Sequence, residues 1–201
     1  MNARKILFYT IAALLGGCLP VASIYPLFTP EDLIFEQQLL GRWTTDPNGP
    51  QDRWTFERAG ERDNAYTLTI TDRDGHRGSF LARLAAIDSR VFLDLLPDKP
   101  VCDIEDPNKA DWPYNAVFMV RAHTFLKVES ITPRVRIKMT QQEALDELLA
   151  EHPDAVQHTV VEDRTVLTAP TEQLQSFVTR YADDDRLFPD EIVLYPIQNK
   201  N

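Results

Sequence analysis

The sequence predicts a mainly β protein with two helices: an antiparallel up-and-down meander closing into a barrel or an open half-barrel, with a helix–hairpin–helix at the C-terminal end. Three observations predict it. Apolar residues alternate with polar ones in short runs separated by turn formers as far as about residue 140. No helical period interrupts those runs, so the crossovers that a parallel sheet requires have no place. Two stretches after residue 140 carry apolar residues at helical spacing. The chain has 201 residues, of which 43% are hydrophobic, enough for the core of one domain.

Taken in order, Leu33 to Leu40 is expected to form a helical turn that Gly41 ends. Arg42 to Thr45 is a short strand closed by the loop formers Asp46-Pro47-Asn48-Gly49-Pro50. Trp54 and Phe56 alternate with Arg53, Thr55 and Glu57 in the next strand, and Tyr66, Leu68 and Ile70 alternate with threonines in the one after. Asp72-Arg73-Asp74-Gly75 turns the chain into a strand from His76 to Ile87. Val91, Leu93 and Leu95 mark another strand, ended by Pro97 and Pro100. A long loop rich in Pro and Asp follows over residues 97–114, and strand character returns at 117–120, 124–131 and 135–139. Thr140 and Glu143 have capping-box spacing ahead of a helix whose face carries Ala144, Leu145, Leu148 and Leu149. Val160-Val161 and Val166-Leu167 read as a hairpin about Glu162-Asp163-Arg164. Pro170 then opens a second helix with Leu174, Phe177, Val178 and Tyr181 on its apolar face, and Ile192 to Leu194 adds an edge strand.

The N-terminus carries an address. Arg4 and Lys5 precede an apolar run, Ile6 to Leu15, which is too short to span a bilayer at the roughly 20 residues a helix needs. Leu15-Gly16-Gly17-Cys18 follows it and resembles the lipobox of bacterial lipoproteins: an aliphatic residue, two small residues, then the cysteine. The resemblance implies that residues 1–17 are a signal peptide and that Cys18 is acylated with thioether-linked diacylglyceryl and an amide-linked chain. Residues 18–32, with Pro20, Pro26 and Pro30, are then the lipidated N-terminus and a tether that docks late on a single β-rich domain of residues 33–201. Loss of 17 of the 201 residues leaves 184, and loss of Arg4 and Lys5 takes the formal charge from −10 to −12. So acidic a body is expected to stand off an anionic leaflet on its tether, and broad contact with nucleic acid phosphate is excluded. Leu19-Pro20 after the cysteine, with no Asp beside it, favours the outer membrane where the cell has one.

Gly41-Arg42-Trp43, opening the first strand, resembles the G-x-W motif of lipocalins, in which the tryptophan plugs the closed end of the barrel and the glycine allows a tight backbone path. The meander is accordingly expected to be lipocalin-like. Thr71-Asp72 only suggests the second lipocalin signature, and the arginine that caps the tryptophan has no convincing counterpart. Leu39-Leu40-Gly41-Arg42-Trp43 is also similar to the LLG-x-W opening of small bacterial lipoproteins with β-rich bodies, a likeness that implies the fold and no activity.

The chemical inventory is thin. His76, His123, His152 and His158 share no ligand spacing, so no metal site and no cofactor are expected. Two cysteines make neither a disulfide scaffold nor a thiolate zinc site, and Cys102 is crowded by Asp103, Glu105 and Asp106, which disfavour a thiolate. Asp72-x-Asp74-Gly75 has part of a calcium-loop pattern, yet Ile70 stands at the first ligand position. Asp183-Asp184-Asp185 reads as a solvated acidic run. Arg134, Arg136 and Lys138 make one cationic strand face, either an anion contact or a row of cross-strand pairs with acids such as Glu129. Seven glycines leave no phosphate-cradling loop. The functional expectation is a noncatalytic, lipid-anchored envelope protein that binds a partner protein or an apolar small molecule. The alternative is an envelope hydrolase with dispersed carboxylates and histidines, for instance Glu57 with Asp72 or Asp94.

Overall fold

The computed structural model describes residues 20–49, 52–60, 64–98 and 120–197. In chain order the strands are β1 (Ala22–Ser23), β2 (Leu33–Ile34), β3 (Gly41–Thr44), β4 (Arg53–Arg58), β5 (Tyr66–Thr71), β6 (Arg77–Ile87), β7 (Arg90–Pro97), β8 (Thr124–Ser130), β9 (Val135–Met139), β10 (His158–Val161), β11 (Arg164–Leu167) and β12 (Asp190–Pro196). Helix α1 (Gln142–Glu151) follows β9, and helix α2 (Thr171–Tyr181) follows β11.

Eight strands close a lipocalin-like antiparallel barrel. Each of β3 to β8 pairs with the next, β6 with β7 included, and β12 pairs with both β9 and β3 to complete the ring. The alternation that marked β4 and β5 is the alternation between the two faces of the wall. Phe56, Tyr66 and Leu68 point inward and are buried, with Thr55, Thr67 and Thr69 between them. The run at 192–194 is part of this closing strand and not an edge, because Tyr195 and Pro196 lie opposite Thr44 and Trp43. The two helices and the β10–β11 hairpin are therefore an insertion between the seventh and eighth barrel strands.

The stretch at 33–40 divides where a single helical turn was expected. Leu33 and Ile34 pair with Ala85 and Leu84 of β6 as an extra strand, and only Gln37–Leu39 forms a 3₁₀ turn. Docking an extended pair on an open stretch of β6 satisfies the backbone groups that a helix would satisfy internally. The capping box at Thr140 is likewise not formed. Gln141 is the N-cap and makes no side-chain cap bond, whereas Thr140 is buried with its carbonyl accepting from Val21 N.

Two cores share the wall made by β6, β7 and β8. The interior core fills the barrel with Trp43, Phe56, Tyr66, Leu68, Leu93 and Ile137 among others. The outer core lies between the outward residues Ala85, Phe92 and Phe125 and the apolar faces of α1 (Leu145, Leu148) and α2 (Leu174, Phe177). The N-terminal segment belongs to this outer core: Val21 and Leu27 are buried in it, and β1 pairs in parallel with β11.

Candidate functional site

The two ends of the barrel differ. One end is shut by the 33–40 stretch, where Phe35 stacks on Tyr66 at 4.6 Å between ring centroids and Arg58 lies 3.6 Å over the Phe35 ring. Tyr66 Oη donates to Glu36 O and accepts from Glu36 N, and burial raises its phenol pKa above 10.0. Gly41 enters β3 at φ 128, a conformation that side chains resist, and Trp43 is buried with Nε1 donating to Leu39 O at 2.9 Å. An arginine does sit at this end, but on Phe35; the tryptophan is held by a carbonyl.

At the other end, Phe80 of β6, Pro97 of β7 and Thr124 of β8 meet the N-terminal segment. Between them lies a groove of about 480 Å³, lined by apolar groups of Pro20, Val21, Ala22 and Val120 and by the charged side chains of Asp98, Arg121 and Arg164. Arg164 Nη2 donates to Pro20 O at 3.0 Å and Arg121 Nη1 to Pro97 O at 3.3 Å. Arg164 Nε and Thr124 Oγ1 are buried without a hydrogen-bond partner among the described residues.

A buried acid–imidazole pair clasps the N-terminal segment beside this groove. Asp94, 2% exposed, is an outward residue of β7, and its Oδ1 lies 2.7 Å from His123 Nδ1. Its Oδ2 accepts from Leu27 N at 2.9 Å, while Ser23 and His123 exchange backbone hydrogen bonds of 2.8 Å in both directions. The Ser23 hydroxyl donates to Tyr25 O at 2.8 Å, so it is not presented to the imidazole. Among the described residues the pair has no hydroxyl turned toward it, and it holds residues 23–27 to the barrel wall through Leu27 N and the Ser23–His123 backbone bonds.

The other sequence candidates are dispersed. Arg136 pairs with Glu191 at 2.6 Å, Lys138 with Asp185 at 3.0 Å, and Arg134 lies 4.8 Å over the Tyr195 ring, so each cation of that strand face is engaged. Hydrogen bonding to Asp185 raises the Lys138 pKa above 10.5. The acidic run after α2 is not simply solvated: Asp183 meets Arg90 and Lys127, Asp184 meets Arg186, and Asp185 meets Lys138. Asp72, Asp74 and His76 place ligand atoms within 4.8 Å of one another on the exposed β5–β6 turn, where an Asx turn and the Asp72–His76 bond account for the spacing. Glu57 and Asp94 lie on strands separated by β5 and β6, and Asp72 lies beyond the far end of the β4–β5 pair from Glu57, so the sheet keeps these carboxylates apart. Leu15, Gly16, Gly17, Cys18 and Cys102 lie outside the described residues, as does most of the loop expected at 97–114 and of the strand at 117–120.

By sequence alone Asp94 is only a possible acid and His123 one of four scattered histidines. Their pairing joins residues 29 apart on separate strands and has no local signal; the one clue is an aspartate inside the apolar run 91–96. No family model matches the chain, and comparison with curated proteins and with solved structures gives no match either.

Proposed function

We propose that this is a noncatalytic, lipid-anchored protein of the bacterial cell envelope whose body binds a partner protein through its outer surface. The observation that carries the anchor is the register of Arg4 and Lys5, the apolar run and Leu15-Gly16-Gly17-Cys18. Acyl chains on one cysteine hold a protein at a bilayer almost permanently, since each buried CH₂ contributes about 0.8 kcal/mol. The outer membrane, with the body in the periplasm, is the favoured location. The described residues hold no helix long and apolar enough to cross a membrane.

The filled interior supports a protein partner over an apolar molecule inside the barrel. An eight-stranded barrel is just wide enough for its own side chains to fill, and the inward positions here are occupied by aromatic and aliphatic groups. The separation of Glu57, Asp72 and Asp94, and the Ser23 hydroxyl bonded to Tyr25 O, support a binding role over a hydrolase.

Radiolabelled palmitate is expected to enter the protein, and Cys18→Ala to abolish both label and membrane retention; an unlabelled, freely soluble product sinks the anchor. Native mass spectrometry of the body released from its lipid is expected to give the bare polypeptide mass. A stoichiometric apolar adduct would replace the partner-protein reading with ligand carriage.

A further inference from the structure

We infer that the groove at the end of the barrel opposite the 33–40 stretch is the bilayer-facing surface of the protein, so that the body lies against the leaflet and does not stand off it. The inference rests on the anchor proposed above and adds the orientation of the body.

The first argument is chain length. Leu19 alone separates Cys18 from Pro20, and two residues span at most about 7 Å even fully extended. Pro20 is already fixed: it forms a bridge with Gln141, its carbonyl accepts from Arg164, and it lines the groove. Val21, Ala22, Ser23 and Leu27 are buried, and the segment is clasped through Ser23 and Leu27. Residues 20–32 therefore provide no free tether, and a lipid on Cys18 reaches the bilayer from the edge of the groove.

The second argument is surface chemistry. Among the described residues the exposed large apolar side chains are Ile24, Tyr25, Val120, Val160 and Val161. Val120, 76% exposed, lines the groove; Ile24 and Tyr25 follow β1; Val160 and Val161 end the hairpin strand two places from β1 in the small sheet. Apolar exposure is thus gathered on the parts nearest the anchor, as at an interfacial surface. Arg121 and Arg164 line the groove together with Asp98, and the guanidinium nitrogens of the two arginines have the chemistry to meet lipid phosphate.

At this end of the barrel Arg121 and Arg164 are set against Asp98 in the groove and against Asp72 and Asp74 on the β5–β6 turn. At physiological ionic strength the screening length is about 8 Å, so the leaflet senses the nearest face more than the formal charge of the whole body. Phe80 and Pro97 at the groove are paired at one end of the β6–β7 hairpin, and Asp88-Ser89 turns it at the other. Over the eight pairs of that ladder the far turn lies roughly 25 Å away, beyond any such screening length.

The test uses the acylated full chain carrying Cys102→Ser, in vesicles of phosphatidylethanolamine and phosphatidylglycerol. A polarity-sensitive fluorophore is placed through Val120→Cys or, for comparison, through Ser89→Cys, both exposed positions. Vesicle binding is expected to shift emission at 120 to the blue and cut its quenching by iodide several-fold, with nitroxide-labelled lipid quenching it instead. The label at 89 stays accessible to iodide, and Arg121→Glu reduces the protection at 120. Vesicle-bound protein with equally accessible labels overturns the orientation while leaving the anchor standing. Equal protection at 120 with and without vesicles also overturns it, because the protein itself then covers the groove. Protein that carries no lipid and stays in solution overturns both readings.

Discussion

Asp94 is the residue whose environment the sequence conceals most. In an antiparallel strand with one solvated face an aspartate between Leu93 and Leu95 reads as an outward, hydrated group. Here the outward face of β7 is covered, and the carboxylate is kept by two donors, His123 Nδ1 and Leu27 N. Removing one partner of a buried, hydrogen-bonded pair costs about 3 kcal/mol or more, because the other is left unmatched. Asp94→Ala is expected to lower stability by that amount in urea unfolding, and a loss under about 1 kcal/mol would contradict the clasp. His76 behaves oppositely. Its hydrogen bond to Asp72, together with the Asp72 charge, raises its pKa above 6.5, and the same bond lowers Asp72 below 3.8. The His76 contribution is fully present below pH 6.5 and fades as pH rises through the raised value. The Asp72 contribution is present above pH 3.8 and is lost as pH falls through the lowered value. An NMR titration is expected to give His76 a midpoint above 6.5, which Asp72→Asn returns toward 6.5. Both groups are exposed, so overall stability barely follows.

The elements show where period and register suffice and where they do not. β4 and β5 were legible because one face is buried and the other is not, so a period of two is written in Trp54, Phe56, Tyr66, Leu68 and Ile70. β7 keeps Phe92 and Asp94 buried beside Leu93 and Leu95, since α1 and α2 cover its outer side, and its alternation is blurred. The end of α2 depends on tertiary partners in the same way: Lys127 of β8 donates to Ala182 O, placing a cation on the helix C-terminus, and Arg90 draws Asp183 below the ordinary carboxylate pKa of 3.8. Helix-dipole logic applied to Asp183 alone misses the cations that the barrel wall brings to it. Phe177 carries the apolar face of α2 into the outer core, and Phe177→Ala is expected to cost about 3–5 kcal/mol. In hydrogen exchange the amides of α2 and of the β10–β11 hairpin are then expected to lose more protection through local opening than those of β3 to β5, while global unfolding stays one transition; uniform loss would mean that α2 opens only together with the barrel.

At the scale of the whole molecule, the mainly β class, the two helices and the meander were readable from local pattern, while the closure was not. β3 and β12 meet across some 150 residues of chain, and nothing in Gly41 to Thr44 announces Tyr195 and Pro196 as neighbours. The two cores share one wall, which makes independent unfolding of either unfavourable. In a Trp112→Phe variant, tryptophan fluorescence, which Trp43 and Trp54 then report from the barrel, and far-UV dichroism, weighted to α1 and α2, are expected to give coincident denaturation curves; separated midpoints would show two cooperative units. The ring also sets an order of events in synthesis. Seven barrel strands can form as they emerge, but β3 and β9 remain open edges until residues 190–196 arrive, because only β12 pairs with both. A chain shortened by those few residues keeps most of its apolar contacts and displays two adhesive edges, so its fate is decided by self-association and proteolysis well before loss of core stability.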